Sequence, residues 1–491
     1  MTNPISQTRR EFLFSIPETA ALVQLANGKD EDAARRTRIA IIGCGNFGEY
    51  LFHYLNREMG EMPREFTSEG ISLVDIDTRR CDRLALRRKK AGLASTTCYS
   101  SLQRLLEAES SILGGVFICT PDSFHSRQCM ACLEREIPVY CASPISLTSS
   151  DAENMIALSV AKKVTFYLEN SIPTSPVYQF VKDSLLNTNQ RKNLLGDIVS
   201  AHSDLAVQSP REWRTRCGYK RCPTVAEELA LEQSVKEYGY KNLQEYREWP
   251  FSQDTCMGSH FLKLQESVLV YRMLIGEWPL SVYASADRDD GEGVYGMTFL
   301  LRYRGGMREF SVTVSTLSSD SLFGPAPLLL KDVVCATAGE LTIYRNRLKG
   351  HSIARIAIGC AESDISEAKS SWSGVSTGKG CLGDLLDVDQ YSKNDTQGYD
   401  ADCQSFLNHA RGIRNEWEFP ENATEGKNPI FVGVDEFLER RASPAGGGNL
   451  FEGYASLRIA ELAKSSLSTG LPVEIPSGAL MPECLRTKTC L

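Results

Sequence analysis

The chain carries the glycine spacing Gly43-x-Gly45-x-x-Gly48, with Asn46 and Phe47 in the interval, directly after the apolar run Arg38-Ile-Ala-Ile-Ile42. In a strand, turn and helix built to hold a dinucleotide, each glycine has its own task. Gly43 makes the tight turn, Gly45 lets the main chain approach a pyrophosphate, and Gly48 lets the helix sit close to the strand. The phosphates would rest on the free amides at the helix N-terminus. A second apolar run, Ile71-Ser-Leu-Val74, ends in Asp75, a carboxylate placed to accept from ribose hydroxyls. Asp75 lies further along than the usual ~20 residues, and the polar segment 59–70 absorbs the excess as a loop. Asp75 favours a free 2′-hydroxyl and so NAD, whereas Arg79 and Arg80 can grip a 2′-phosphate and so NADP; the balance leans to NAD.

The elements that must position these groups alternate along the chain. A helix over 79–90 follows Asp75, then a short segment to Thr97, a helix near 102–109, and the apolar run 114–120, which ends in Thr120-Pro121 with His125 close behind. A helix to Glu136 leads into Ile137-Pro-Val-Tyr-Cys-Ala142 and then Ser143. Strands alternating with helices at this spacing give a parallel sheet, whose ligand crevice lies at the carboxyl ends of the strands. Gly43, Asp75, Thr120 and Ser143 all fall at such ends and are expected around one site. Beyond it, 281–287, 296–303, 307–317 and 329–344 are β-rich, and Tyr303-Arg-Gly-Gly-Met307 carries a hairpin signal.

Composition narrows the function classes. A chain of 491 residues exceeds one ordinary core, so two domains with insertions are expected. A net charge of -8 gives no basic surface for nucleic acid, and no apolar run approaches the ~20 residues of a membrane helix. Neither partner is expected. The 16 cysteines are scattered, several in apolar strands (Cys44, Cys119, Cys141, Cys335), as small buried hydrophobes of a reducing compartment. Cys129 and Cys132 form a C-x-x-C and Cys217 and Cys222 a C-x4-C, each without the second ligand pair of a zinc site; the six histidines include no H-E-x-x-H. No metal is expected. Thr8-Arg9-Arg10-Glu11-Phe12-Leu13 resembles a twin-arginine export signal, but Pro17 and Glu18 interrupt the apolar core such a signal needs. Residues 1–35 read instead as a docking arm or short amphipathic helix, and the expected compartment is the cytoplasm.

The order of glycine fingerprint, strand-end Asp75, Thr120-Pro121-x-x-x-His125 and a short strand ending in Pro144 resembles the Gfo/Idh/MocA family of glucose-fructose oxidoreductase and inositol dehydrogenase. Asn193 to Ala201 resembles the entry into that family's second domain, Met257-Gly-Ser-His260 its catalytic-histidine helix, and 452–475 its closing helix and terminal strand. The resemblance implies an N-terminal Rossmann domain (36–168) and a C-terminal α/β domain (169–491) with a predominantly antiparallel open sheet. That sheet would cover a small-molecule substrate and build a homo-oligomer. Insertions are expected at 211–253, 361–399 and 420–449, the middle one Ser/Gly/Asp-rich and read as a surface excursion, partly disordered.

The candidate catalytic residues are His260 and Ser143, at positions the resemblance marks, and Lys263, which stands where the family commonly has an acid; the cofactor-binding candidates are Gly43, Gly45, Asn46, Phe47, Gly48, Asp75, Arg80, Thr120, Pro121 and His125. The family's strand-end Glu-Lys-Pro is Ala142-Ser143-Pro144 here, and Cys256 stands where the family has an aspartate that orients its histidine. A serine hydroxyl donates a hydrogen bond but carries no charge for a developing alkoxide. If the segment from Cys256 is helical, Cys256, His260 and Lys263 share a face, and Lys263 can supply the missing cation. The function expected is NAD(P)-dependent hydride transfer to or from a small polar carbonyl, hydroxyl or imine, with His260 as acid/base. Two rivals stay open: a cofactor-recycling epimerase or lyase, and a degenerate regulatory or scaffold member.

Overall fold

In a computed structural model, the residues described are 38–58, 70–93, 95–120, 122–162, 164–169, 196–208, 259–289, 293–304, 309–317, 329–337, 339–346, 351–358, 375–380, 383–390 and 450–482, with short pieces within 229–242 and 403–407. The segment 1–35, the insertion 420–449, nearly all of 211–253, and Pro121, Cys217, Cys222 and Cys256 lie outside them.

The first sheet grows from largely apolar runs, and the buried Ser72 within them is bonded, accepting from Arg38 Nε at 2.7 Å and donating to Glu109 Oε2. β1 (Arg38–Ile42), β2 (Ile71–Val74), β3 (Thr96–Tyr99), β4 (Leu113–Ile118), β5 (Val139–Cys141) and β6 (Phe166–Leu168) pair in the order β3-β2-β1-β4-β5-β6, all parallel. Between them run α1 (Asn46–Glu58), α2 (Thr78–Lys90), α3 (Leu102–Glu109), α4 (His125–Leu133) and α5 (Ser149–Lys162). Leu51 and Leu55, one turn apart, put the buried face of α1 on the sheet. α2 starts on Asp77, whose side chain accepts from Arg79 N, and ends in Arg87, Arg88, Lys89 and Lys90, cations suited to the negative pole of a helix. The topology reverses at β1 and β4, and the crevice of such a sheet opens there.

The second domain is a mixed, mostly antiparallel sheet of order β14-β15-β13-β12-β11-β7-β10-β9-β8-β16. Its strands are β7 (Ile198–Gln208), β8 (Ser281–Asp289), β9 (Gly293–Arg302), β10 (Glu309–Leu317), β11 (Leu329–Ala336), β12 (Gly339–Asn346), β13 (His351–Ile358), β14 (Val375–Gly380), β15 (Gly383–Gln390) and β16 (Val473–Glu474). Among the described residues of this sheet, only β7 and β10 pair in parallel. The hairpin signal after Tyr303 joins the antiparallel strands β9 and β10, and the run 329–344 divides into the antiparallel pair β11 and β12.

Two expectations are corrected. The segment 361–399 is not a surface excursion throughout: β14 and β15 within it form a hairpin that extends the sheet from β13. Its Ser/Gly-rich composition masked the signal, because Gly380 and Gly383 are partners at the turn and the short run Asp384-Leu-Leu-Asp-Val388 was enough for a strand. Cys335, taken for a buried thiol in an apolar strand, is exposed on β11, where alternate side chains face opposite sides of the sheet.

One helix ties the two sheets together. α7 (Leu450–Thr469) packs on β8 and on α6 (Ser259–Ile275) of the second domain, and on α5 and β6 of the first. Ser149 N donates to Glu461 Oε1 at 2.7 Å, Arg458 reaches Ser149 Oγ at 3.2 Å, and Tyr454 donates to Glu153; at the other end Ala284 N donates to Ser466 Oγ at 3.0 Å. Gly453 permits the close approach, since a Cβ there would lie 2.0 Å from Leu168 Cδ2. The C-terminal segment thus helps close the first domain, and Phe406, packed edge-on against Phe117 and Tyr140, does the same. Overpacking a filled contact typically costs ~1–3 kcal/mol. Gly453→Leu is therefore expected to lower the unfolding free energy by that order, read as a lowered denaturant midpoint, with the fluorescence and circular-dichroism transitions shifting together because both domains lean on this helix.

Candidate functional site

The glycine turn is held from beneath. Gly43 N donates to Val74 O at 2.8 Å and adopts φ +91°, a conformation natural to glycine. A Cβ at Gly43 would stand 2.7 Å from Cys119 O, and one at Gly48 1.9 Å from Gly43 O, so turn and helix close on each other without side chains between them. At Gly45 a Cβ would meet nothing within 4 Å. That open ground above the turn, at the N-terminus of α1, is the cradle a pyrophosphate requires, and the residues present fit a dinucleotide. Asn46 and Phe47 begin α1, and the Phe47 ring stacks on Tyr50.

Asp75 is nearly enclosed. Its Oδ2 accepts from Cys44 N at 2.7 Å and its Oδ1 from Asp77 N at 2.8 Å, so the carboxylate locks the glycine turn to the end of β2. Burial pushes its carboxyl up, against the opposing pull of Arg80 and these two main-chain donors. Arg80 Nη1 lies 3.7 Å from Asp75 Oδ2, and Arg79 grips Asp77 with two bonds of 2.6 and 3.0 Å. Both arginines read as able to grip a 2′-phosphate therefore already face carboxylates. Behind the turn, Cys44 Sγ lies 3.7 Å from Cys81 Sγ.

The neighbouring strand ends converge as the sequence spacing requires. Cys119 N donates to Ile42 O, Ala142 N to Ile118 O and Glu169 N to Cys141 O, stitching the ends of β1, β4, β5 and β6 into one rim. Thr120 Oγ1 donates to Gln128 Oε1 at 2.6 Å. Ser143 follows β5, its peptide to Pro144 is cis, and its N–H points to Glu169 Oε2 at 3.4 Å. Glu169 was not singled out from the sequence: it follows β6 as Asp75 follows β2, so the same strand-end argument, carried one strand further, reaches it. His125 departs from the expected cofactor contact. It is buried, and its two ring nitrogens meet Pro144 O and Thr120 O, so it clasps two loops of the rim with no ring nitrogen left for a nucleotide.

From the second domain, α6 carries His260 and Lys263. Burial alone pulls the His260 ring down to about 4, leaving it a neutral imidazole near pH 7. Lys263 does not provide the free cation expected of it. Its ammonium is buried and bound to both oxygens of Glu266, one turn along, at 2.5 Å, the geometry of an i, i+3 ion pair.

Residues 37–170 match the family described as Oxidoreductase family, NAD-binding Rossmann fold (GFO_IDH_MocA). The N-terminal domain belongs to the Gfo/Idh/MocA family. No curated protein shows significant similarity to the chain. Among solved structures, the chain resembles the WlbA dehydrogenase of Chromobacterium violaceum in complex with NADH and UDP-GlcNAcA (15% identity, TM-score 0.54, covering 90% of this chain and 96% of that one). It also resembles GenD2 of gentamicin A biosynthesis in complex with NAD (15%, 0.55, 90% and 97%). A third is the UDP-N-acetylglucosamine 3-dehydrogenase GnnA of Acidithiobacillus ferrooxidans (12%, 0.53, 88% and 97%). At these identities the likeness establishes the fold alone: a parallel Rossmann sheet joined to a second, mostly antiparallel sheet, matched over nearly the full length of each of these structures.

Removing the carboxylate under the turn tests its structural share. Asp75→Ala leaves the Cys44 and Asp77 amides without their acceptor, and a buried unsatisfied donor costs ~1–3 kcal/mol. The urea midpoint of the variant is expected to fall accordingly; an unchanged midpoint would mean that the turn stands without it.

Proposed function

We propose that this protein is a dehydrogenase that binds NAD in preference to NADP and moves a hydride to or from a small polar substrate bearing a hydroxyl, carbonyl or imine carbon. The observation that carries the reading is the glycine turn clamped by Asp75, with open ground above Gly45 and both nearby arginines paired. The nucleotide supplies the hydride acceptor or donor when bound; Gly43, Gly45, Asn46, Phe47 and Gly48 would hold its pyrophosphate end and Asp75 its ribose. Arg80 faces Asp75, and that pairing supports NAD over a cofactor with an extra phosphate.

The chemistry then falls to α6 and the rim. A hydroxyl losing hydride must also lose a proton, and His260, neutral because it is buried, is in the form that accepts one. Ser143 offers a hydroxyl as hydrogen-bond donor to the substrate oxygen, and Glu169 beside it offers a carboxylate that can orient a substrate hydroxyl. Lys263, tied to Glu266, orders the helix that presents His260 and adds no free charge. The domain's membership of an oxidoreductase family supports hydride transfer over a scaffold role. The second sheet is the surface proposed for self-association: along β7, Ser200, His202 and Asp204 lie on the face opposite the buried Ala201, Ser203 and Leu205. No helix among the described residues is long and apolar enough to cross a membrane.

Titration calorimetry with the four nicotinamide dinucleotides is expected to give NAD and NADH an advantage of about tenfold or more, ~1.4 kcal/mol, over their phosphorylated counterparts. Equal affinities would overturn the assignment of Asp75 and Arg80, and no binding by folded protein would overturn the dehydrogenase reading. With NAD in place, a panel of polyols, sugar acids, nucleotide sugars and cyclic imines screened by NADH absorbance finds the substrate. On that substrate His260→Ala is expected to reduce kcat by about 10²- to 10⁴-fold while leaving nucleotide affinity nearly unchanged. The acid limb of kcat/KM should fall near pH 4, where the ring takes its proton, and not near the ~6.5 of free histidine.

A further inference from the structure

Three thiols lie behind the glycine turn, in the core cluster that Leu51 and Leu55 of α1 share with Leu84 of α2. Cys44, between Gly43 and Gly45, and Cys81 on α2 are 1% and 0% exposed, and their sulfurs stand 3.7 Å apart. Cys98 on β3 packs against the same cluster and is half-buried, with its thiol bonded to that of Cys81. None of the three sulfurs takes part in the chemistry proposed above.

Cys44 Sγ also reaches Val74 O at 3.8 Å, and a carbonyl oxygen only accepts. The Cys44 hydrogen therefore points to Val74, and the hydrogen between the two sulfurs belongs to Cys81. Contact with Cys44, and after it burial, push the Cys81 thiol up; the same contact favours a Cys44 thiolate, but burial and the Asp75 charge outweigh it. In a reducing medium the pair stays protonated and quiet. What the contact supplies is proximity: a thiol held beside an oxidised sulfur captures it as a disulfide before further oxygen adds.

We propose that Cys44 and Cys81 form an oxidative modification site, closed by hydrogen peroxide into a disulfide, and that closure weakens the nucleotide cradle. Cys98, the member with solvent exposure, is the point of entry. Its sulfur attacks the peroxide, the O–O bond breaks, and Cys98 sulfenic acid and one water result. The Cys81 thiol then displaces the hydroxyl as a second water and forms a bond to Cys98. Attack of the Cys44 thiol on the Cys81 sulfur closes the final disulfide and returns the proton to Cys98 as a thiol. Cys44 and Cys81 have lost two hydrogens and two electrons, and the peroxide has become two waters.

A disulfide brings its sulfurs well inside 3.7 Å, so one side of the pair must yield. α2 is held by its buried Cys81, Leu84 and Arg88 and by its cap on Asp77. Gly43 backs onto Cys119, whereas a Cβ at Gly45 would meet nothing within 4 Å. The turn is the part that moves, toward α2, and the Cys44 amide leaves Asp75 Oδ2. With that bond lost the turn no longer holds its shape, and nucleotide affinity falls; this last step rests on the dinucleotide reading above.

The test treats reduced full-length protein with hydrogen peroxide, alkylates the remaining thiols and maps disulfides by peptide mass spectrometry. A Cys44–Cys81 linkage, reversed by dithiothreitol, is expected; its absence would overturn the site. Cys98→Ser is expected to slow its formation severalfold, and an unchanged rate would overturn the entry route. Without nucleotide, hydrogen exchange of the 43–48 amides is expected to quicken on oxidation of the wild type, to recover with dithiothreitol, and to be unmoved by peroxide in Cys81→Ala. Unchanged exchange in linked wild type would overturn the movement of the turn, whether or not the variant folds. Calorimetry then reads the cradle: NAD affinity is expected to fall by about ten- to a hundredfold on oxidation, the worth of one hydrogen bond to a charged group. An affinity that stays constant once the linkage has formed would overturn the consequence for binding. Failure of the reduced protein to bind any nucleotide would strike the dinucleotide reading alone, because linkage and exchange require no nucleotide.

Discussion

The crevice depends on one buried carboxylate. Asp75 accepts the amide of Cys44, in the middle of the glycine turn, and the amide of Asp77, which caps the next helix. A turn with a left-handed Gly43 and no side chains to pack has little of its own to fix its shape, and glycine loses more backbone freedom on ordering than any other residue. The bond from Asp75 offsets part of that loss and ties two separate segments of chain, the end of β1 and the start of α2, to one anchor. Placing the carboxylate there has a cost, visible in the upward push that burial exerts on it. Arg80 and the two amides are what make an ionised form tolerable. The same groups that stabilise the anion also occupy much of it, so Asp75 is a structural anchor as well as the proposed ribose contact.

The second constraint is the placement of α7. A helix buried over most of its surface and bonded to α5 at Ser149 and to β8 at Ala284 acts as a shared wall between the parallel sheet and the mixed one. α6, which bears His260, packs against this wall on one side and against β7, β9 and β10 on the other. The position of the proposed base is therefore set by contacts with elements far apart in sequence. The wall is thin where Gly453 meets Leu168, and the separation of the two domains is governed there by the absence of a single Cβ.

Much of this was legible in the sequence because it rests on short-range rules. Glycine spacing, alternation of strands with helices and carboxylates at strand ends are local patterns, and a parallel sheet with its crevice at the strands' carboxyl ends followed from them; the strand order, set by long-range pairing, did not. The charges were less legible. Lys263 looked available because its partner Glu266 lies three residues on, a pairing that exists only once the helix has formed. His125 looked like a cofactor contact because it follows a strand end, whereas its acceptors, Thr120 and Pro144, come together only when β4 and β5 pair. Glu169 escaped notice for a related reason: no motif marks it, and only the parallel pairing of β5 with β6 brings its carboxylate to Ser143 N. The hairpin of β14 and β15 was lost to composition, since serine and glycine argue for a loop until a neighbouring strand supplies their hydrogen bonds.

Three pairs of charged side chains, two beside the glycine turn and one on α6, follow the same pattern. Asp75 with Arg80, Asp77 with Arg79, and Lys263 with Glu266 are all compensated within a few ångströms. Charges arranged in this way define positions and dipoles but leave little net field, so they suit a site that must bind a polar molecule without holding it as a salt. A substrate whose reacting oxygen develops negative charge would then depend on hydrogen-bond donors and on a neutral base. The proposed base His260, kept neutral by burial, would match that demand, because a base that carries no charge before the reaction gains its stabilising positive charge only as the proton arrives. A serine in place of a lysine at the rim then fits chemistry in which the charge needed at the transition state is produced by the proton transfer itself.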